Sequence, residues 1–319
     1  MLRLPPLSLY VHLPWCVRKC PYCDFNSHQS ADEPPFEAYV DALLDDLVVD
    51  LPWAQGRECQ TIFIGGGTPS LFPGAAIKRL LAGVRERLPL SADAEITLEA
   101  NPGSAEAARF ADYREAGVNR LSIGVQSFDD RSLAALGRIH DASAAVHAVS
   151  AARAAGFSNI NLDLMHGLPG QDAAAAARDL ATAIAQDVPH LSWYQLTIEP
   201  NTVFHSRPPA LPVEDELAGI QQLGEEHLAR AGFRQYEVSA YAKPGHACRH
   251  NLNYWRFGDY LGIGAGAHGK ITLPDENRVV RSRRSRVPKD YLAGIPAARL
   301  DVSDVDAEEL PLEIGRAHV

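Results

Sequence analysis

Cysteine is scarce, five in 319 residues, too few for the disulfide framework of a small secreted domain. No apolar run is long enough to span a bilayer, and the N-terminal Met-Leu-Arg-Leu-Pro-Pro lacks the apolar core of a signal peptide. A reducing cytoplasm is the consistent compartment. Positive charge is in deficit, 30 Lys and Arg against 40 Asp and Glu, so the net charge of −10 gives a nucleic-acid partner no electrostatic support. The one basic run, residues 278–289, reads as a solvated loop, with a patch for an acidic ligand as the alternative. With 46% apolar residues the chain has ample material for a core.

Three of the five cysteines lie together. Cys16, Cys20 and Cys23 form a C-x3-C-x2-C pattern directly after the strand-like run 7–13. Three thiolates can hold three corners of a cubane iron–sulfur cluster and leave the fourth iron open to a small molecule. The alternative is structural zinc, which takes four protein ligands. The fourth would have to be His12, His28 or a remote group.

Short β-rich runs at 7–13, 61–64, 95–99, 120–125, 159–164 and 191–197 alternate with helical patterns at 36–51, 74–88, 105–116, 129–136 with 143–155, 172–187 and 213–231. Six β-then-α units in series predict a parallel sheet with right-handed crossovers. Six is two short of a closed eight-fold barrel, so the reading is α/β, an open partial (βα)6 TIM-like barrel. Chemistry in such folds gathers at the C-terminal strand ends. There stand the cysteines, Gly65-Gly66-Gly67-Thr68, Glu99 with Asn101, Gln126, Asp163 and Thr197. Glycines admit close backbone approach. Gln126, Arg138 and Asp163 bring an amide, a guanidinium and a carboxylate to adjacent loops, where a plain Arg–Asp ion pair is the structural alternative.

The strings H-L-P-W-C, C-P-Y-C-D-F-N, I-G-G-G-T-P-S, E-A-N-P-G, S-I-G-V-Q-S-F, N-L-D-L-M-H-G-L-P, Y-Q-L-T-I-E-P, H-N-L-N-Y-W and G-I-G-A-G-A-H run through nearly the whole chain. Together they resemble the radical S-adenosylmethionine superfamily, and within it the group containing oxygen-independent coproporphyrinogen III dehydrogenase and a related haem chaperone. The resemblance implies a radical-SAM-type barrel with a C-terminal extension. It implies Cys16, Cys20 and Cys23 as ligands of a [4Fe–4S] cluster whose open iron takes the amino and carboxylate groups of S-adenosylmethionine. Tyr10, Gly66, Gly67, Thr68, Glu99 and Thr197 would line that cofactor site. Tyr22, Gln126, Arg138 and Asp163 match positions that hold a second S-adenosylmethionine in the dehydrogenase. One-electron reduction of the bound sulfonium would split a C–S bond to a 5′-deoxyadenosyl radical.

Two departures separate the relatives. The dehydrogenase carries a further cysteine two residues after the last cluster ligand, where this chain has Phe25, and an N-terminal extension ahead of the first strand. Both favour the chaperone, as does His250-Asn-Leu-Asn-Tyr-Trp255, which resembles its haem-binding signature. His250 is the expected axial ligand, Cys248 the alternative, and His268 is assigned to the cofactor rim. The leading expectation is haem carriage to an unidentified acceptor protein. The rivals are porphyrinogen decarboxylation and a scaffold that does neither. Residues 1–234 are expected to form the barrel and 235–312 an incomplete extension over its mouth. Residues 313–319, E-I-G-R-A-H-V, read as a translated sequencing-adapter stretch.

Overall fold

The structure, a computed structural model, describes residues 2–30 and 32–305; the expected tail at 313–319 lies outside the described residues. The first strand, β1 (Leu7–Leu13), alternates Leu7, Leu9, Val11 and Leu13 with Ser8, Tyr10 and His12. Side chains two apart on a strand share a face, so one phase is apolar and the other polar. The same two-phase reading recurs in β2 (Cys59–Gly66), β3 (Leu90–Ala100), β4 (Arg120–Gln126), β5 (Asn159–His166) and β6 (His190–Gln195). The apolar phase, including Ile62, Leu98, Leu121, Ile123, Ile160, Leu162 and Leu191, packs in the main core with Leu43, Leu47, Ile77 and Leu80 of the covering helices. The polar phase, including Tyr10, Glu99, Arg120, Ser122, Asn161, Asp163 and Ser192, lines an internal cavity. Apolar burial of roughly 25 cal/mol per Å² therefore holds the helices to the sheet, while the inner face stays free for chemistry.

All six expected strands are present and parallel, and the expected glycine caps hold: Gly117, Gly156 and Gly232 take positive φ after their helices. The sheet is larger than expected. After β6 the chain adds β7 (Arg234–Gln235), β8 (Ala240–Ala242), β9 (Asp259–Ile263), β10 (His268–Leu273), β11 (Arg278–Arg284) and β12 (Leu300–Asp304), in the order β12-β11-β10-β9-β1-β2-β3-β4-β5-β6-β8-β7. β9 pairs parallel to β1, Tyr10 opposite Gly262, so seven parallel strands form the centre and antiparallel strands extend both edges. No helix among the described residues is long and apolar enough to cross a membrane.

The basic run at 278–289 is mostly a strand rather than a solvated loop. Arg278 and Arg283 make surface ion pairs with Glu276, Asp304 and Asp301, whereas Arg284 is fully buried. Its Nη2 donates to Asp50 Oδ1 at 2.6 Å and its Nε lies 3.5 Å from Asp46 Oδ2. Both carboxylates project from the helix Phe36–Ala54, so this pair clamps the late strand β11 onto an early helix. Burial pushes the Asp50 carboxyl up to about 6, against the pull of Arg284. Removing one partner of a buried ion pair strands the other charge, at about 3–5 kcal/mol. Arg284→Met is predicted to lower stability by that order, read as a shifted urea-unfolding midpoint; an unchanged midpoint would show that the clamp contributes nothing net.

Candidate functional site

Cys16 lies in a two-residue ladder, Trp15–Cys16 against His28–Gln29, that folds the cysteine loop back on itself. Cys16 is buried, Cys20 and Cys23 are half-buried, and all three thiols are free. Burial raises the Cys16 thiol, opposed by a hydrogen bond from Thr68. The glycine turn after β2 is packed against this loop: Gly67 N donates to Leu13 O at 2.8 Å and Thr68 N to Trp15 O at 2.7 Å. A Cβ on Gly67 would lie 2.6 Å from Trp15 O, and one on Gly66, at φ +118°, would lie 2.7 Å from the His12 ring. The glycines therefore admit other parts of this chain as well as leaving room for a ligand.

The two local candidates for a fourth metal ligand are engaged elsewhere. His12 contacts the Tyr10 hydroxyl through Nδ1 at 3.0 Å and Asn26 O through Nε2 at 2.9 Å, and burial lowers its pKa to about 4. His28 Nε2 meets Asn26 Oδ1 at 3.2 Å. Among the described residues no three His, Cys, Asp or Glu side chains are gathered as ligands of a single ion. The thiols of a cubane each bind a separate iron and need no such convergence. The donor set fits a cluster in charge as well, since the Arg138 guanidinium reaches Cys20 Sγ at 3.6 Å.

The other expected residues fall into two adjoining groups. Beside the cysteine loop, Arg138 donates to Asn101 Oδ1 at 2.6 Å and Gly124 O at 2.8 Å, and Asn101 Nδ2 donates to Thr68 Oγ1 at 3.2 Å. Tyr22 packs against Phe204, its phenol raised by burial. Gln126 sits at φ 69°, a left-handed conformation strained for a non-glycine residue, with its Oε1 taking the Tyr194 hydroxyl at 2.7 Å. The alternative, a plain Arg138–Asp163 ion pair, does not form; Asp163 accepts from Asn161 Nδ2 at 2.7 Å and Ser122 Oγ at 3.1 Å. Thr197 is exposed beyond the end of β6 and joins neither group.

The second group, Tyr10, Gly66, Glu99, Asp163 and His250, lines the cavity of about 630 Å³. Its wall is completed by Phe25, Tyr254, Tyr260, His268, Arg281 and Arg286. His250 is fully enclosed: Nδ1 is 2.6 Å from Thr61 Oγ1, Nε2 is 3.0 Å from the Tyr254 hydroxyl, and the ring stacks on Phe63. Cys248, the alternative ligand, is a buried thiol pushed up to about 12 by burial, with its S–H on Glu95 at 3.4 Å. His268 is exposed on the cavity wall, as expected of a rim residue. Two contributors went unassigned in the sequence. Asn26 staples the cysteine loop to the extension by donating to Ala265 O and Arg286 O, each at 2.9 Å; its signal was its place in C-P-Y-C-D-F-N. Arg120, on the inner phase of β4, reaches the cavity from the head of a strand, away from the loops at the C-terminal strand ends.

Glu99 is the electrostatic centre of this group. Burial, then the Asp163 carboxylate, push its carboxyl up to about 8, while the Gly66 N–H at 3.2 Å pulls the other way. A folded-state value above the ordinary 4.5 means that the folded chain binds the extra proton between those two pH values. Stability from this group is therefore full below about 4.5 and is lost as pH rises through about 8. Urea unfolding at intervals from pH 5 to 8 is predicted to show a falling stability that Glu99→Gln flattens; parallel pH profiles for the two proteins would refute the assignment.

Residues 10–181 match the family model of the radical SAM superfamily. The chain is 59% identical over 315 residues to the heme chaperone HemW of Escherichia coli, covering 98% of this chain and 82% of that protein. It is 39% identical over 269 residues to the heme chaperone HemW of Bacillus subtilis, covering 83% and 71%. Among solved structures, coproporphyrinogen III oxidase (HemN) from Escherichia coli, a radical SAM enzyme, superposes with a TM-score of 0.83 at 26% identity, covering 98% of this chain and 75% of that one. With three free thiols beside a guanidinium at the mouth of a parallel α/β barrel, and with these relatives, the chain belongs to the radical SAM superfamily and, within it, to the HemW family.

Proposed function

We propose that this chain carries haem on a radical SAM scaffold and hands it to an acceptor protein. The observation that carries the reading is the cavity: about 630 Å³, within the range of cofactor pockets, walled by Phe25, Phe63, Tyr254 and Tyr260 and edged by Arg281 and Arg286. Aromatic faces suit a flat apolar macrocycle. The heme chaperone name of the relatives supports the same reading. The segment from residue 235 onward supplies much of the wall and is proposed as the family-specific extension.

Cys16, Cys20 and Cys23 would hold the cluster, with Arg138 offsetting negative charge at Cys20. When bound, the cluster and S-adenosylmethionine supply one-electron chemistry. Tyr10, Gly66, Thr68 and Glu99 would position the nucleoside cofactor, Glu99 entering as a neutral carboxyl below about pH 8. Tyr22, Gln126, Arg138 and Asp163 remain candidates for a second molecule. The rival reading, porphyrinogen decarboxylation, has the likeness to HemN behind it. Against it stands Phe25, exposed on the cavity wall where that enzyme's group has a further cysteine.

Anaerobically reconstituted protein is predicted to give a Soret band on haem addition and no vinyl product from coproporphyrinogen III, S-adenosylmethionine and reductant. Vinyl product would replace the carrier reading with the enzyme. Axial ligation by His250 requires Nε2 to leave the Tyr254 hydroxyl, a bond worth about 0.5–1.5 kcal/mol. Tyr254→Phe removes that partner and is predicted to tighten haem binding by about 2- to 10-fold; equal or weaker affinity would point away from His250.

A further inference from the structure

Arg120 is 2% exposed at the head of β4. Its guanidinium lines the cavity, yet Nε has no hydrogen-bond partner, and among the described residues the side chain makes no ion pair. The nearby acids are committed to other donors. Glu95 accepts from His250 N at 3.1 Å, from Arg249 N at 3.2 Å and from the Cys248 thiol. Asp163 is held by Asn161 and Ser122, and Glu99 faces Gly66 N. Burial pulls the Arg120 pKa down, but the nearby acids, Glu95 and Asp163 among them, leave it above the ordinary arginine value, so the charge persists. A buried guanidinium that no carboxylate pairs with directly is costly to fold around, and its flat fork of donors matches a carboxylate.

We infer that Arg120 is the receptor for a carboxylate of the ligand that fills this cavity, docking that group on the inner phase of β4 rather than at the arginine-edged mouth. The inference rests on the haem reading above, which makes a propionate the ligand group; the carboxylate of S-adenosylmethionine offers the same chemistry from a second source. Either would sit among Ser122, Asn161 and Ser192, whose side chains line the same wall.

The test compares each ligand with its carboxylate-blocked counterpart on reconstituted full-length chain: haem with its dimethyl ester, and S-adenosylmethionine with decarboxylated S-adenosylmethionine. Wild type is expected to favour free haem over the ester by about tenfold or more. Arg120→Met is expected to keep or raise the melting temperature and to lose that preference, while Arg286→Gln at the mouth keeps it. Loss confined to the S-adenosylmethionine pair would support the receptor with the other source. Preferences that survive Arg120→Met in both pairs, or that fall with Arg286→Gln instead, would overturn it. If Arg120→Met fails to fold, Arg120→Gln is read in its place, and a wild-type ratio near one for both pairs overturns the proposal without any variant. Haem and S-adenosylmethionine that each bind wild type and Arg120→Met alike, with their preferences intact, sink the inference but leave haem carriage standing; haem that does not bind wild type sinks haem carriage, and the S-adenosylmethionine pair alone then decides the role of Arg120.

Discussion

The constraint on which the rest depends is that every barrel strand presents a polar side to an enclosed space. Buried polar groups are tolerated only when their hydrogen bonds are made, and across β4, β5 and β6 they are made sideways, from strand to strand. Asn161 Nδ2 donates to Ser122 Oγ at 2.7 Å, Asn161 Oδ1 meets His190 Nδ1 at 2.6 Å, and Ser192 Oγ reaches the same oxygen at 3.2 Å. This lattice fixes Asp163 and, through it, the field at Glu99. Register and electrostatics are thus one problem here: slipping a strand by one residue would turn its polar row into the helices and its leucines into the cavity.

Much of this was legible in the sequence because parallel strands and covering helices leave strong local signals. β1 spans the residues expected of it, and the glycine caps mark three helix ends. The thiols, the glycine turn and Glu99 lie at strand ends, where barrel geometry puts chemistry. What escaped has a physical reason. β9 is five residues long and reaches β1 by a return through the helix Arg249–Trp255, so no periodicity marks it as a seventh parallel strand. Residue type did not say whether Arg138 and Asp163 pair, because each has neutral partners instead, Asn101 for Arg138 and Asn161 with Ser122 for Asp163. His250 is the expected axial ligand, yet Thr61 and Tyr254 occupy its two nitrogens, a fact of tertiary packing that spacing does not carry.

The cysteine loop is held by protein contacts from three directions. The Gly67 and Thr68 amides bind it from the second strand, Asn26 ties it to the extension, and Lys19 Nζ closes it on Phe25 O and Ser27 O at 3.1 and 3.2 Å. Such a loop is shaped before any ligand arrives. Preorganisation of this kind spares a bound group the entropy of ordering its own site.

The pairing of β9 with β1 has a consequence for the order of events on the ribosome. A chain emerging from its N-terminus has β1 to β6 and all three thiols of the cysteine loop in hand while residues 259–286 are still unmade. During that interval β1 is a bare edge with open backbone donors and acceptors, and the cysteine loop lacks the Ala265 and Arg286 carbonyls that later anchor Asn26. Metal loading and pocket completion are therefore separable in time. The last wall to be synthesised is also the one that completes the cavity around Tyr10, Glu99 and Asp163.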